Sequence, residues 1–229
     1  MGVKKKNEQW VKLVSKLFIV GACLLFVGLM ILSGMGNQWI TMFNSVKSGD
    51  TVVLDVTVYD AAGKPIITSE QTVYNQAVAQ GKDIFATKQL TIISNKTIAK
   101  SIFGVPGYSS TGTSVQQLAI FSSEYNLISS AVVGMKVNEQ KRIAIPSDNM
   151  MKNEFSVEQL AISKINLTDI SVGDTFFMGV SDTTEQVTNT TKPNTFLRIG
   201  DVVSKSPDGV VVDLNYPAIE VRVVSINNQ

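Results

Sequence analysis

"LISSAVVGMKVNEQKRIAIPSD", running from Leu127 to Asp148, is the stretch whose reading decides the fold. Leu127, Ile128, Ala131, Val132 and Met135 recur at helical spacing, and Gly134 can end the helix in the left-handed conformation. "QKRIAIP" then continues as a strand with Ile143 and Ile145 on one face. The stretch reads as a short helix that hands over to a strand far from either chain end, one corner of a fold that mixes helix and strand.

Upstream, "GDTVVLDVTVY" alternates Val52, Leu54, Val56 and Val58 against Thr51, Asp55 and Thr57, the pattern of a half-buried strand. "DAAGKP" at Asp60 to Pro65 carries turn chemistry and "IITS" begins the return strand, so the pair reads as a hairpin. Residues 70 to 123 are rich in Ser, Thr, Gln and Asn. "QLTII" around Leu90 reads there as a strand and "GVPGYSSTGT" from Gly104 as a loop. Downstream, Met151 to Tyr216 breaks into short β-prone runs, "DTFFMGV", "TFLRI", "DVVSKS" and "GVVVDL", punctuated by "VGD", "IGD" and "PDG". The last run, "AIEVRVVSI", puts Ile219, Val221 and Val223 on one face and makes a final strand for the first domain. That order predicts a small β-rich domain inserted at about 152–216, with the main core made by residues outside it.

The chain has 229 residues, 44% hydrophobic and 17% charged, with a formal net charge of +1. Lys4, Lys5, Lys6, Lys12 and Lys16 against Glu8 leave +4 before residue 17, and 15 basic against 18 acidic residues after it. The basic end is local, which gives no support to a nucleic-acid partner. Between Leu17 and Leu32, "LFIVGACLLFVGLMIL" is an unbroken apolar run that Ser33 to Gly36 extend without a charge, toward the roughly 20 residues that span a bilayer core. Trp10 and Trp39 bracket it as interfacial residues do. The lysines on its amino side predict a cytoplasmic segment 1–16, a single transmembrane helix 17–36, a stalk 37–46 and an extracytoplasmic remainder in the cell membrane. A cleaved signal peptide is the rival, but the run exceeds a usual h-region and no A-x-A site follows. "VGAC" at Val20 to Cys23 resembles a lipoprotein box, yet nine apolar residues follow Cys23 where a polar tether would stand.

Cys23 is the one cysteine and histidine is absent. Disulfide staples, Cys/His zinc sites, Ser-His-Asp triads and Cys-His dyads are therefore excluded, and no cofactor or metal is expected. Asp50, Asp174 and Asp201 each follow a glycine just before a β run, where a carboxylate accepts backbone hydrogen bonds. Asn95 ("NKT"), Asn166 ("NLT") and Asn189 ("NTT") are glycosylation sequons if the topology is right, of which one or two are expected to be used.

The order of elements, with "VGMKV" ending the helix, "IPSD" ending its strand, "VVVDLNYP" closing the β-rich insertion and "IEVRVVSI" last, resembles the FKBP family of peptidyl-prolyl isomerases in its SlyD-like branch. The insert-in-flap domain of that branch leaves through a "P-x-E-x-A-Y-G" type turn and returns through "V-D-F-N-H-P". The matching pieces are "PSDNMMK" at Pro146 to Lys152 and "VDLNYP" at Val212 to Pro217. The resemblance covers residues 47–69 and 124–226. It implies a curved antiparallel sheet with a packed helix over residues 47–151 and 217–229, an insert-in-flap domain at 152–216, a long insertion at 70–123, and prolyl isomerase (rotamase) and chaperone activity.

Positions matched to the family's pocket place Val56 where its strand Tyr stands, Ile66 at its aromatic position and Ile67 at its Asp position. Ile128 takes the pocket-floor Trp or Phe, Met151 the flap Tyr and Ile219 the Phe of the last strand. All six are apolar, none is aromatic and the carboxylate is gone. They are substrate-pocket candidates rather than catalytic residues, and an ordinary core is the competing reading. Isomerisation itself needs no nucleophile, only a pocket that favours the twisted amide against a barrier of about 18–20 kcal/mol. The function expected is a membrane-anchored folding factor for unfolded or proline-containing exported polypeptides, its isomerase activity weak or lost, with Phe176, Phe177 and Met178 as client-binding candidates. The alternative is a non-enzymatic docking subunit of a membrane or cell-surface complex.

The apolar run with lysines on one side only generates a direct expectation: the protein stays with membranes after alkaline washing, and residues beyond 37 are reached by protease from outside. Recovery of a soluble mature chain beginning after Gly34 would show a signal peptide instead.

Overall fold

A computed structural model describes residues 3–34, 44–112, 114–182 and 194–227. The chain divides into two units, Met1–Asn44 and Ser45–Gln229. The first is helix α1, Val3–Gly34. Its side chains are described continuously from Lys16 to Met30, and Leu17, Phe18, Leu24, Leu25 and Phe26 are all exposed. Among the described residues no helix is long and apolar enough to cross a membrane. The expected span 17–36 runs past that continuous stretch, and 35–36, the stalk up to residue 43 and Trp39 lie outside the described residues.

The second unit is α+β, a strongly curled open sheet with few helices. In chain order it holds β1 (Thr51–Tyr59), β2 (Pro65–Thr68), α2 (Gln71–Ala79), β3 (Phe85–Thr87), β4 (Leu90–Ile93), β5 (Ile102–Ser109), β6 (Val115–Phe121) and α3 (Ser122–Ala131). It continues with β7 (Gln140–Ala144), β8 (Lys152–Ser156), α4 (Val157–Ile162), β9 (Thr175–Ser181), β10 (Thr195–Ser206), β11 (Gly209–Asp213) and β12 (Ala218–Ile226). The sheet runs β7-β12-β1-β2-β3-β5-β6-β10-β11-β8, with β4 added on β1 and β9 on β10. It is not antiparallel throughout: β2 meets β3 in parallel, and β6 meets β10 in parallel at Leu118 and Leu197. Each parallel join needs a crossover, and α2 supplies the first.

The Leu127–Asp148 corner forms as its spacing predicts. Tyr125, Ile128 and Val132 turn inward from α3 and the turn after it. Gly134 sits at φ +85°, the left-handed region where only a residue without Cβ is unstrained. Its N–H donates to the Val46 carbonyl while the Val46 N–H donates to Met135, both at 2.8 Å, so the start of this unit is tied to the end of the helix. β7 pairs β12, and β12 pairs β1.

Three expectations change. Residues 102–109 form β5, where Gly, Pro and Ser read as a loop. Pro106 is tolerated because β3 ends at the Thr87–Gly107 pair, so no ladder partner waits for its missing donor, and its carbonyl accepts from the Thr87 hydroxyl at 2.9 Å. "TFLRI" and "DVVSKS" fuse into β10 because Gly200 is a close approach, not a turn: a Cβ there would stand 2.7 Å from Leu214 and 2.8 Å from the Asp213 carbonyl oxygen. β1 is buried on both faces from Leu54 to Val58, not on one.

Nor is the main core confined to residues outside 152–216. It gathers Val52, Leu54, Val56, Ile128 and Val221, but also Ile199 and Tyr216, with Leu197 packed against it. A second, smaller cluster of Leu160, Ile170, Val202, Val210, Val212 and Leu214 lies farther along β10 and β11. β10 thus serves both clusters. At their junction stands Arg198, fully buried. Its Nη1 and Nη2 donate to both oxygens of Glu124 on α3, at 2.9 and 2.5 Å. Nε and Nη2 also donate to the Leu214 carbonyl and Nη1 to that of Ala119. The guanidinium lies 3.4 Å from the Tyr216 ring centroid and 4.5 Å from that of Phe121. Glu124 accepts in addition from the Phe121 N–H at 2.9 Å, half of a capping box at the start of α3.

A buried pair of this kind is costly to break from one side. Arg198→Met alone is expected to destabilise by about 3–5 kcal/mol, because Glu124 is left charged and dry. Adding Glu124→Leu should recover part of the loss. Urea unfolding of the full chain in detergent, followed by circular dichroism, reads Arg198→Met, Glu124→Leu and the double variant, and a loss in the double equal to the sum of the two single losses would show that the residues are not coupled.

Candidate functional site

Four of the six pocket candidates converge. Val56 on β1, Ile67 on β2, Ile128 on α3 and Ile219 on β12 line one enclosed void, closed from the other side by Val105, Leu118 and Ile120 of β5 and β6. Its volume is about 10 Å³, at the lower limit for a single water, and its walls are almost wholly apolar, so it stays dry. No prolyl ring enters it. The strands that close it come from residues 70–123, the part of the sequence hardest to read.

The other two candidates lie elsewhere. Ile66 points to the opposite face of β2 from Ile67, because neighbouring strand residues alternate. Met151 ends a 3₁₀ turn, Asn149–Met151, started by the Asp148 carboxylate accepting from the Met150 N–H, and its side chain packs on the second cluster. That turn touches the returning segment: the Asp148 N–H donates to the Asn215 amide oxygen at 2.9 Å, and Asn215 Nδ2 donates back to the Asp148 carbonyl at 3.0 Å. "PSDNMMK" and "VDLNYP" are therefore hydrogen-bonded neighbours, placed beside the pairing of Ala144 with Ala218.

Ile66 helps to line a wider cleft of about 340 Å³, with Phe85, Phe177 and Ile199 as apolar walls and Asp83, Asp174 and Thr175 as polar ones. Phe177 stands edge-on to Phe85 with ring centroids 6.0 Å apart, and remains 51% exposed. The three client-binding candidates thus do not form one surface. Strand alternation turns Phe176 and Met178 onto the second cluster, where Phe176 stacks on Phe155 at 5.2 Å, and leaves Phe177 outside.

The sequon residues Asn95 and Asn166 are exposed. Asn95, at φ +54°, donates to the Ser48 hydroxyl at 3.1 Å, and Asn166 donates to Asp169 at 3.3 Å. Asn189 lies outside the described residues. The three glycine-preceded aspartates all accept backbone N–H groups: Asp50 from Lys47, Asp174 from Ser171, and Asp201 from Ala61 of the β1–β2 turn. Burial, with Asp60 and Asp213 nearby, pushes the Asp201 carboxyl upward against that last bond.

Sequence reasoning gave no role to the second face of β1. There the buried Asp55 carboxylate accepts from Arg222 at 2.6 Å and from Ser69 and Gln89 at 3.1 Å each. Glu70 lies 3.4 Å from Arg222, and the hydroxyls of Thr57 and Thr68 meet at 2.8 Å. Farther along, Tyr59 donates to Glu220 at 3.0 Å beneath the Arg142 guanidinium. Arg222 pairs with both Asp55 and Glu70, its Nε having no hydrogen-bond partner among the described residues, and these contacts tie β1, β2, β7 and β12 together.

No protein-family model and no curated protein matches this chain.

The polar face carries a pH dependence. Burial and the Glu220 hydrogen bond push the Tyr59 phenol up to about 12. The folded value exceeds the unfolded one of about 10. Its contribution is therefore fully present below pH of about 10 and lost as pH rises through about 12. Alkaline unfolding monitored by circular dichroism should be less steep in that window for Tyr59→Phe than for the native chain; superimposable profiles would remove Tyr59 from the account.

Proposed function

We propose that this chain is a membrane-anchored, extracytoplasmic FKBP-like protein of the SlyD-like type that binds exported polypeptides, with its prolyl isomerase activity weak or lost. One observation carries the non-catalytic part: the place where Val56, Ile67, Ile128 and Ile219 meet is a dry void of about 10 Å³. A catalyst of this class must admit a prolyl ring and hold the amide in its twisted state. Making room would mean ejecting a side chain as buried as Ile128, and emptying such a position costs about 2–5 kcal/mol.

The FKBP-like part is supported by the antiparallel run β7-β12-β1-β2 with α3 packed on its inner face, and by the Asp148–Asn215 contact that joins the outgoing and returning motifs. The all-round exposure of the apolar side chains on α1 suits a helix solvated by lipid. Cleft and void differ in the right sense for binding without catalysis, since the cleft of about 340 Å³ bearing Phe177 is open while the family's catalytic position is closed.

A protease-free isomerisation assay on short Xaa-Pro peptides tests the reading, with light scattering of a slow-folding client in parallel. The expected kcat/KM lies on the order of a hundredfold or more below that of pocket-intact relatives, the loss of several oriented contacts. Suppression of client aggregation should persist. Isomerisation at the level of intact relatives would overturn the proposal, and protection of no client would leave a dedicated docking subunit.

A further inference from the structure

Where β2 and β3 supply Ile66 and Phe85, and β9 and β10 supply Phe177 and Ile199, the curl of the sheet leaves a cleft of about 340 Å³. Its floor is apolar and buried, since Ile66, Phe85 and Ile199 are each less than a tenth exposed. Phe177 forms a half-exposed wall, its ring edge-on to Phe85 with centroids 6.0 Å apart. A volume of this size stands at the lower end of the range of small-molecule pockets, about 300–1,000 Å³.

The charges at this cleft are of one sign. Asp83 and Asp174 line it beside Thr175, and among the described residues no lysine or arginine does. Neither carboxylate is in an ion pair among the described residues. Asp174 Oδ2 accepts from the Ser171 N–H at 2.7 Å, which holds that carboxylate in place and leaves Oδ1 for a ligand. Asp201 pairs with Thr175 across β9 and β10 and lies on the same face of β10 as Ile199. Burial, with the Asp60 and Asp213 carboxylates nearby, pushes it upward against the opposing Ala61 N–H and Lys64. The cleft is thus an apolar chamber in a negative field, which draws a cation and repels an anion.

We infer that this cleft is a binding site for a small organic ammonium ion with an apolar, ring-sized body. The body rests on Ile66, Phe85 and Ile199, where removing apolar surface from water provides affinity. The ammonium donates to Asp83 and Asp174 and faces the Phe177 ring, whose π system attracts a cation. Neither half suffices by itself: a neutral ring leaves the carboxylates without a partner, and a strongly hydrated polyamine leaves the floor wet. The site takes no polypeptide and stands apart from the polypeptide-binding reading above.

The test titrates the full chain in neutral-detergent micelles by isothermal calorimetry, with empty micelles as the reference. 2-Phenylethylammonium should bind. 2-Phenylethanol, with the ring and no charge, and spermidine, with charge and no ring, should each bind on the order of tenfold more weakly, and 3-phenylpropionate not at all. Asp83→Asn and Phe177→Ser, both at exposed positions, should each weaken the amine on the order of tenfold, with Ile162→Ser, at another exposed position, as the unaffected control. Circular dichroism confirms that the variants are folded, and the ligand series on the native chain needs no variant. The inference is overturned if the alcohol binds as tightly as the amine, if spermidine does, which would show an acidic patch only, or if both variants leave affinity unchanged. Nα-Acetyl-lysine amide stands in for a polypeptide side chain, and tighter binding of it than of the aromatic amine would overturn the assignment in favour of a peptide ligand. No binding of the amine by a chain that still suppresses client aggregation would refute the site and leave the polypeptide-binding reading intact.

Discussion

The buried Arg198–Glu124 pair is the constraint around which the unit Ser45–Gln229 is organised. A guanidinium taken wholly out of water is tolerated only when its charge and all its donors are answered, and here a bidentate carboxylate, two backbone carbonyls and two aromatic faces answer them. Those partners come from β6, α3 and the segment leading into β12. The pair therefore fixes where the returning chain must pass relative to the helix, and it makes β10 common property of both hydrophobic clusters. Leu197 and Ile199 of β10, with Tyr216, thereby join the main core.

The same arrangement governs the void between β1, β2, β12 and α3. Once β6 is held against β10 and α3, Leu118 and Ile120 stand opposite Val56, Ile128 and Ile219, and together with Val105 they reduce the enclosed space to about 10 Å³. Aliphatic side chains at the matched positions suit this outcome. Aromatic rings there would demand more room, and a carboxylate in place of Ile67 would be buried without a partner. Aliphatic side chains at these positions and closure of the space are two sides of one packing solution.

Polar groups are placed with equal economy. On the second face of β1, Asp55, Arg222 and Glu70 are ion-paired and Tyr59 links Glu220 to Arg142, and two of the sheet's ends carry charge of their own. Against that background, the uncharged β9 keeps Phe177 half exposed.

Much of this was legible in the sequence, and what was not has a physical cause. Local signals determined the helix-to-strand corner, because apolar spacing and Gly134 act within a few residues; the β1–β2 hairpin, because Asp60 and Gly63 set the turn; and the terminal strand, because its alternation is strict. The turn roles of Asp50 and Asp174 were likewise local. Tertiary structure alone decided the rest. β5 contradicts its own composition because it is flanked by β3 and β6, and β10 runs through Gly200 because Leu214 and Asp213 need the space a side chain would take. Six apolar residues cannot announce from sequence which four will share a void, since Ile66 and Ile67 are chemically alike and differ only in the face they occupy. Arg198 carried a faint signal, a lone cation in "TFLRI", as did Asp55 in "VVLDVTV". Their partners lie 74 and 167 residues away, a separation that no local pattern encodes and only the folded chain brings within hydrogen-bond reach.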